Sequence, residues 1–292
     1  MADFGASSTA EDVSEGVDLS GKVYLLTGCN SGLGEETLRV LGLRGAKVIG
    51  LARTTEKARA TLDRHNVAGT AVACDLSSPT SVRAAVETVR GLGLALAGII
   101  ANAGIMALPE PRTTLGLDLQ FLTNHIGHFI LITGLLDQLA DDGRVVLVSS
   151  GAHFLAPEVG IEFDNLSGER DYRAWRTYGQ SKLANLLMAR SLAIKLGRNQ
   201  TANALHPGVI QTQLGRHLSD YDGVLDRIGR EKLKTVPQGA ATQVYLAVHP
   251  DNADKSGLYF DDCQIKEPSK PAQDDDLAER LWAESERIVA SL

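Results

Sequence analysis

Short apolar runs alternate along the chain with longer amphipathic stretches. Val23–Leu26, Lys47–Leu51, Thr70–Ala73, Gly98–Ala101, Val145–Val148, Ala202–Leu205 and Leu258–Phe260 are each bounded by Gly, Asp, Asn or Pro, as strands closed off by turn residues are. These runs lack the polar alternation of a half-exposed strand, which suits a sheet covered on both faces. Between them, Ser31–Arg44, Ser78–Arg90, Leu115–Leu139 and Tyr178–Leu196 are long enough for crossover helices. Strand and helix in this alternation predict an α/β fold, a doubly wound parallel sheet of about seven strands with helices on both faces. No repeat or Gly/Ser linker divides the chain, so a single domain is expected over residues 20–263. Residues 1–19 form an acidic lead in which Thr9-Ala10-Glu11-Asp12 can cap one short helix. Residues 264–292 read as a polar loop and a closing helix, with Leu277, Leu281, Ile288 and Leu292 near helical spacing, packed on the same domain.

Composition narrows the function classes. The chain has 292 residues, 43% hydrophobic and 22% charged, with a formal net charge of -7, an acidic balance that works against a polyphosphate backbone as partner. No nucleic acid is expected. The lead carries Asp3, Glu11, Asp12, Glu15 and Asp18 but no Lys or Arg, so it lacks the basic and apolar regions of a signal peptide. Gly91–Pro109 is uncharged over 19 residues but holds four Gly, Asn102 and Pro109, which suits a buried strand and its loop better than a membrane span. Cys29, Cys74 and Cys263 are an odd number in a long chain and make no disulfide framework. A cytoplasmic location is the simplest expectation.

The strongest local signal follows the first strand: Thr27-Gly28-Cys29-Asn30-Ser31-Gly32-Leu33-Gly34. Glycines here allow a tight turn and close backbone approach to a phosphate, while the next helix points its first N–H groups at the anion. The segment is not a Walker loop, because Lys and Ser/Thr do not follow the last Gly. The second strand ends Leu51-Ala52-Arg53-Thr54. An acid there would accept the ribose hydroxyls of NAD, whereas Arg53 offers a planar fork for a 2′-phosphate; NADP is therefore expected over NAD. A second signal is Tyr178-Gly179-Gln180-Ser181-Lys182. A spacing of four puts Tyr178 and Lys182 on one helix face, where an ammonium group favours the phenolate.

With Asp75-Leu76, Asn102-Ala103-Gly104, Asn124, Ser149-Ser150 and Pro207-Gly208 with Thr212, these motifs fall in one order along Leu19–Cys263, and the sequence resembles the short-chain dehydrogenase/reductase family. Asn124-His125-Ile126-Gly127-His128-Phe129, Val148–His153, Ser181–Asn185, His206–Val209 and Gly257–Cys263 are similar to its retinol dehydrogenase and protochlorophyllide reductase-like branch. The resemblance implies a Rossmann fold and a catalytic set of Asn124, Ser150, Tyr178 and Lys182. Tyr178 would be the acid that protonates a carbonyl oxygen, Lys182 would hold the nicotinamide ribose and lower the Tyr178 pKa, Ser150 rather than Ser149 would bind the substrate oxygen, and Asn124 would anchor a water. It further implies that Gly28, Asn30, Ser31, Gly32, Leu33 and Gly34 line the pyrophosphate, Arg53 the 2′-phosphate, and Asp75 and Leu76 the adenine. Asn102, Ala103 and Gly104 would lie at the ribose, and Pro207, Gly208, Val209, Ile210 and Thr212 on the nicotinamide side. Many animal retinol dehydrogenases carry an N-terminal membrane anchor, and the acidic lead predicts none here.

The expected activity is NADP-dependent interconversion of a lipophilic or aromatic aldehyde or ketone with its alcohol, the hydride belonging to the cofactor. Met106, His153, Phe154, Leu155, Trp175, Ile210 and Leu214 are the expected pocket residues, because loops at the strands' C-terminal ends form the ligand crevice. Reduction of a carbon–carbon double bond and a catalytically silent NADP sensor are the alternatives. The intact Asn124, Ser150, Tyr178 and Lys182 set weighs against silence. His125 and His128 lie three apart on a helix, yet no Cys or carboxylate cluster accompanies them, so packing and no metal are expected. Cys29 is expected to meet the cofactor through its backbone alone. The resemblance allows a homodimer or homotetramer built on the helices that carry Asn124 and Tyr178.

Overall fold

The computed structural model describes residues 4–197, 199–210 and 233–292. Seven parallel strands and one antiparallel edge strand form its main sheet, in the order β10-β9-β8-β7-β4-β1-β2-β3. They are β1 (Val23–Thr27), β2 (Lys47–Ala52), β3 (Gly69–Ala73), β4 (Leu96–Ala101), β7 (Leu139–Val148), β8 (Thr201–His206), β9 (Tyr259–Asp261) and β10 (Gln264–Ile265). All seven expected strands are present. Every residue of β1 and β4 is buried, the mark of a sheet covered on both faces. The strand order reverses between β1 and β4, and such a switch point leaves a crevice at the strands' C-terminal ends.

The helices differ more from expectation. Helix α1 (Gly32–Leu43), α3 (Pro79–Gly91, capped by Ser78) and α6 (Ala174–Lys195) fall where the periodicity puts them. Helix α2 (Thr55–Arg64) was not legible: only Ala58, Thr61 and Leu62 of its ten residues are buried, too narrow an apolar stripe to register. The stretch expected as one helix over Leu115–Leu139 is divided. It opens with a hairpin of β5 (Thr113–Thr114) and β6 (Leu117–Asp118), runs through α4 (Leu119–Phe121), a π turn (Leu122–Ile126) and α5 (Gly127–Thr133), and has entered β7 by Leu139. Asp118 sets the start, its Oδ1 accepting from Gln120 N–H at 2.9 Å and Phe121 N–H at 3.0 Å, as an N-cap does.

Helices α7 (Val236–Val248) and α8 (Asp275–Ser291) complete the shell. The acidic lead lies against α7 and α1: Ala10 N–H donates to Pro237 O at 2.9 Å, and Ala10 and Val13 are fully buried. Helix α8 bridges the π turn, α5 and α6. Ser285 Oγ meets His125 Nε2 at 2.9 Å, Ser191 Oγ donates to Ala278 O at 3.2 Å, and Trp282 meets Phe129 edge-on at 4.8 Å. The outer faces of the helices that carry Asn124 and Tyr178 are thus partly covered by the chain's own end. Among the described residues, no helix is long and apolar enough to cross a membrane.

Asp118 is an expensive cap. It is 1% exposed and its Oδ2 has no hydrogen-bond partner, and burial pushes the carboxyl up to about 6. Because the folded pKa lies above the unfolded one, its contribution to stability is complete at low pH and is lost as pH rises through about 6. Asp118→Asn keeps the capping oxygen without the buried charge. In urea unfolding it should be more stable than the parent at pH 8 by on the order of 1 kcal/mol, an advantage that shrinks at pH 5; an equal difference at both pH values would refute the buried charge.

Candidate active site

The crevice is built on backbone contacts that leave no space for side chains. Gly28 has φ +67°, and a Cβ there would lie 3.0 Å from Ala103 Cβ. At Gly34 a Cβ would lie 2.1 Å from Gly28 O and 2.7 Å from Asn102 Nδ2. The turn after β1 and the first turn of α1 therefore touch main chain to main chain, and the loop after β4 closes on them through Asn102 Nδ2 and the Ala103 methyl. Asn102 and Ala103 N–H each donate to Thr27 Oγ1 at 3.0 Å, and Asn102 Nδ2 donates to Thr27 O at 2.9 Å. Ser31, the N-cap of α1, makes no side-chain capping bond, so the opening amides of the helix point into the crevice with nothing capping them. Such a helix end attracts an anion.

The other residues expected at the cofactor are distributed around this cradle. Cys29 turns its thiol into the core, fully buried, and burial pushes it up to about 12, which leaves its backbone as its contribution to the turn. Arg53 is exposed at the end of β2, with no hydrogen bond or ion pair among the described residues. Asp75 Oδ1 accepts from Ser77 N–H at 3.0 Å and Ser77 Oγ at 2.7 Å, and Leu76 is buried against Gly127. Pro207, Gly208, Val209 and Ile210 leave β8 half-buried. Gly208, at φ +88°, passes so near Lys234 that a Cβ would lie 2.6 Å from its Cδ, and Lys234 forms an ion pair with Asp262. Thr212 and Leu214 lie outside the described residues.

Asn124, Ser150, Tyr178 and Lys182 converge beside the cradle from three elements. Tyr178 is 3% and Lys182 4% exposed on α6. The Ser150 hydroxyl lies within hydrogen-bonding reach of the Tyr178 phenol and also accepts from Ala152 N–H at 3.1 Å. Ser149, its neighbour, is buried and donates to Lys182 O at 2.8 Å. Lys182 Nζ donates to Val148 O at 2.9 Å and lies 5.7 Å from the Tyr178 ring centroid. Asn124 stands in the π turn, a rare conformation that recurs at functional sites. Its Oδ1 accepts from Ile105 N–H at 2.9 Å, while its Nδ2 donates to Ile105 O at 2.9 Å and to Ser181 Oγ at 3.0 Å. Ser181 Oγ in turn donates to Tyr178 O at 2.7 Å. A Cβ on Gly104 would lie 3.0 Å from Asn124 Oδ1 and 3.4 Å from Lys182 Nζ, so the loop after β4 threads between them.

Burial governs the electrostatics. It pushes the Tyr178 phenol up to about 12, with the Ser150 hydrogen bond acting the other way, and it pulls the Lys182 ammonium down to about 8. The expected lowering of Tyr178 by Lys182 is not borne out: burial of the phenolate raises it, and the hydrogen bond from Ser150, not Lys182, acts the other way. A phenol that keeps its proton at neutral pH is the form that can donate one.

His153 is held by backbone at both ring nitrogens, Nδ1 to Ser150 O at 2.7 Å and Nε2 accepting from Ser269 N–H at 3.2 Å. It fixes the Ser150 loop. Of the expected pocket residues, Met106 and Trp175 are half-buried, Trp175 packing edge-on against Tyr178 at 6.0 Å, and Phe154 and Leu155 are exposed at 59% and 53%. Residues without an expected role also build the site. Gly179 lets α6 close on the Ser150 loop, since a Cβ there would lie 2.4 Å from Ala152 O. Gln243 Nε2 on α7 reaches Leu33 O at 3.4 Å and Asn102 Oδ1 at 3.4 Å; no local pattern distinguishes it. His125 and His128 point to different partners, and among the described residues no three His, Cys, Asp or Glu are grouped to hold a metal.

The glycine cradle and the buried phenol thus lie side by side at the point where the sheet order reverses. A family model for short chain dehydrogenase matches residues 22–222. The chain is 41% identical to short-chain dehydrogenase TIC 32 A, chloroplastic, of Brassica napus, over 99% of this chain and 95% of that protein. It is 37% identical to human retinol dehydrogenase 13, over 93% and 85%. A crystal structure of an uncharacterised protein from Mycobacterium paratuberculosis superposes with a TM-score of 0.76 at 32% identity, covering 95% of this chain and 97% of that one. The chain belongs to the short-chain dehydrogenase/reductase family, in its retinol dehydrogenase and protochlorophyllide reductase-like branch. It is an oxidoreductase of a family that uses nicotinamide cofactors.

Gly34→Ala tests the cradle. The added methyl must displace Gly28 O or Asn102, an overpacking that costs about 1–3 kcal/mol. NADPH titrated by fluorescence should bind at least tenfold more weakly, with far-UV circular dichroism unchanged.

Proposed function

We propose that this protein is an NADP-dependent oxidoreductase that interconverts a lipophilic aldehyde or ketone with its alcohol. The observation that carries the reading is the buried Tyr178 phenol, protonated at neutral pH, with the Ser150 hydroxyl at its side and the glycine cradle adjoining. The nicotinamide cofactor, whose fit rests on the close contact of Gly28 with Gly34 that a Cβ would fill and on the uncapped start of α1, would supply the hydride when bound. Gly28, Asn30, Ser31, Gly32, Leu33 and Gly34 would hold its pyrophosphate.

In the reductive direction Ser150 Oγ and Tyr178 Oη point at one carbonyl oxygen and orient it. Tyr178 O–H then gives its proton to that oxygen as negative charge develops, and takes it back in oxidation. The Lys182 ammonium, buried and anchored on Val148 O, stabilises the phenolate left behind. Asn124 keeps Ile105 and Ser181 in place and so fixes the helix turn that carries Tyr178. Met106, Phe154, Leu155 and Trp175 offer apolar surface around this point, which supports a lipophilic substrate. Arg53, exposed and uncommitted where the second strand ends, supports NADP over NAD. The three cysteines are free, buried thiols, in keeping with a reducing compartment such as the cytoplasm.

Across a panel of aromatic, aliphatic and terpenoid carbonyls, NADPH oxidation should be detectable, and Tyr178→Phe should lower kcat by about 10²–10⁴-fold while NADPH binding is retained. Turnover that survives in the variant would remove Tyr178 from the mechanism. Arg53→Ala should weaken NADPH binding by about tenfold to a hundredfold, the worth of a charge-assisted hydrogen bond, and leave NADH binding nearly unchanged. Equal losses for both cofactors would show that Arg53 does not meet the 2′-phosphate.

A further inference from the structure

His128 is fully buried, stands four residues after Asn124, and has no role in the chemistry described so far. Its Nε2 meets Thr27 Oγ1 at 2.9 Å and its Nδ1 meets Asn124 O at 2.9 Å. The protons can be assigned by counting. Asn124 O is a carbonyl and only accepts, so Nδ1 carries a hydrogen. Thr27 Oγ1 already accepts from Asn102 N–H and Ala103 N–H, which fills both of its lone pairs, so its hydroxyl hydrogen must go to Nε2. The imidazole is therefore neutral, in the Nδ1–H form. Burial acts in the same direction, holding it down at about 4, with the Lys182 charge adding to the effect.

We propose that His128 is a positioning residue for hydride transfer, the tie that sets the cofactor cradle at a fixed distance from the Asn124 arm of the proton-donating site. This inference rests on the oxidoreductase reading. On one side the tie holds Thr27, and through it the two amides of the loop that packs on Gly28 and Gly34. On the other it holds the main chain of Asn124, whose side chain reaches Ile105 and, through Ser181, the turn of α6 that carries Tyr178. The ring thus joins β1, the loop after β4 and the π turn by hydrogen bonds in which every donor and acceptor is used. It is not a proton path, because the chain ends in backbone amides that donate and do not exchange protons with a substrate. Its effect is geometric, and a misplacement of about 1 Å between reacting groups can cost on the order of 10²-fold in rate.

The test compares His128→Phe, which keeps the ring volume and removes both hydrogen bonds, with His128→Gln, which retains one donor and one acceptor, and with Thr27→Val and Thr27→Ser. NADPH affinity by fluorescence, kcat and KM for the best carbonyl of the panel, the pH profile of kcat and thermal unfolding are read for each. His128→Phe should weaken NADPH binding and lower kcat, each by about tenfold or more, with KM for the carbonyl little changed and the midpoints of the pH profile unmoved. His128→Gln and Thr27→Ser should recover most of the loss. The Thr27→Val/His128→Phe double variant should bind NADPH no more weakly than the worse single variant, since both cut the same tie. Additive losses in the double variant would overturn the proposal, as would a lower unfolding temperature with NADPH affinity and kcat unchanged per folded molecule. A shift of the pH midpoint would instead make His128 part of the proton path. The NADPH titrations decide the matter even if no carbonyl is reduced, and parent turnover that depends on Tyr178 upholds the oxidoreductase reading whatever His128 does.

Discussion

The site depends on a place where the turn after β1, the start of α1 and the loop after β4 meet with only the small side chains of Thr27, Asn102 and Ala103 between them. At the point where the sheet order reverses, Gly28, Gly34 and the loop of Asn102 and Ala103 lie so close that a single methyl at Gly34 would enter Gly28 O. That closeness makes the crevice narrow and lines it with amides rather than side chains, and it places the opening turn of α1 over the end of β4. Thr27 closes the contact with one hydroxyl that serves two amides. Three further elements are tied to this contact: the π turn through His128 and Thr27, α6 through Asn124 and Ser181, and α7 through Gln243.

Burial then gives the side chains their chemistry. Tyr178 and Lys182 share one helix face in a nearly dry setting, and desolvation moves their proton affinities apart, the phenol upward and the ammonium downward. Both shifts run toward the neutral form, but at about 8 Lys182 still carries its proton at neutral pH. A phenol alone in such a place would be inert. The Ser150 hydroxyl at its side and the Lys182 ammonium 5.7 Å from its ring are what the proposed proton transfer rests on. Ser149 shows how finely this is set, for its hydroxyl, one residue away, is spent on Lys182 O and takes no part.

The end of the chain has a related part. Helix α8 meets the π turn, α5 and α6 through Ser285, Trp282 and Ala278, so the helices that carry Asn124 and Tyr178 are held from outside as well as from the sheet. His125, whose Nε2 meets Ser285, and His128, which faces Thr27, are neighbours in sequence with opposite duties: one fastens the shell and the other faces the cofactor cradle. Their spacing of three on one helix gives no sign of this division.

Much of the fold and of the candidate site was legible in the sequence. The seven apolar runs determined the sheet, because a strand buried on both faces admits no polar alternation. The glycine turn and the Tyr178–Lys182 pair were legible because both are local geometries set by neighbouring residues. Helix α2 and the π turn were not legible, one for want of an apolar stripe and the other because no periodicity marks it. Only the tertiary structure decided the direction of the Tyr178 and Lys182 shifts, the partners of His125 and His128, and the place of Gln243. Thr27 and His128 are 101 positions apart and His125 and Ser285 are 160 apart. Hydrogen bonds and desolvation act through space, whereas the patterns readable in a sequence act along the chain.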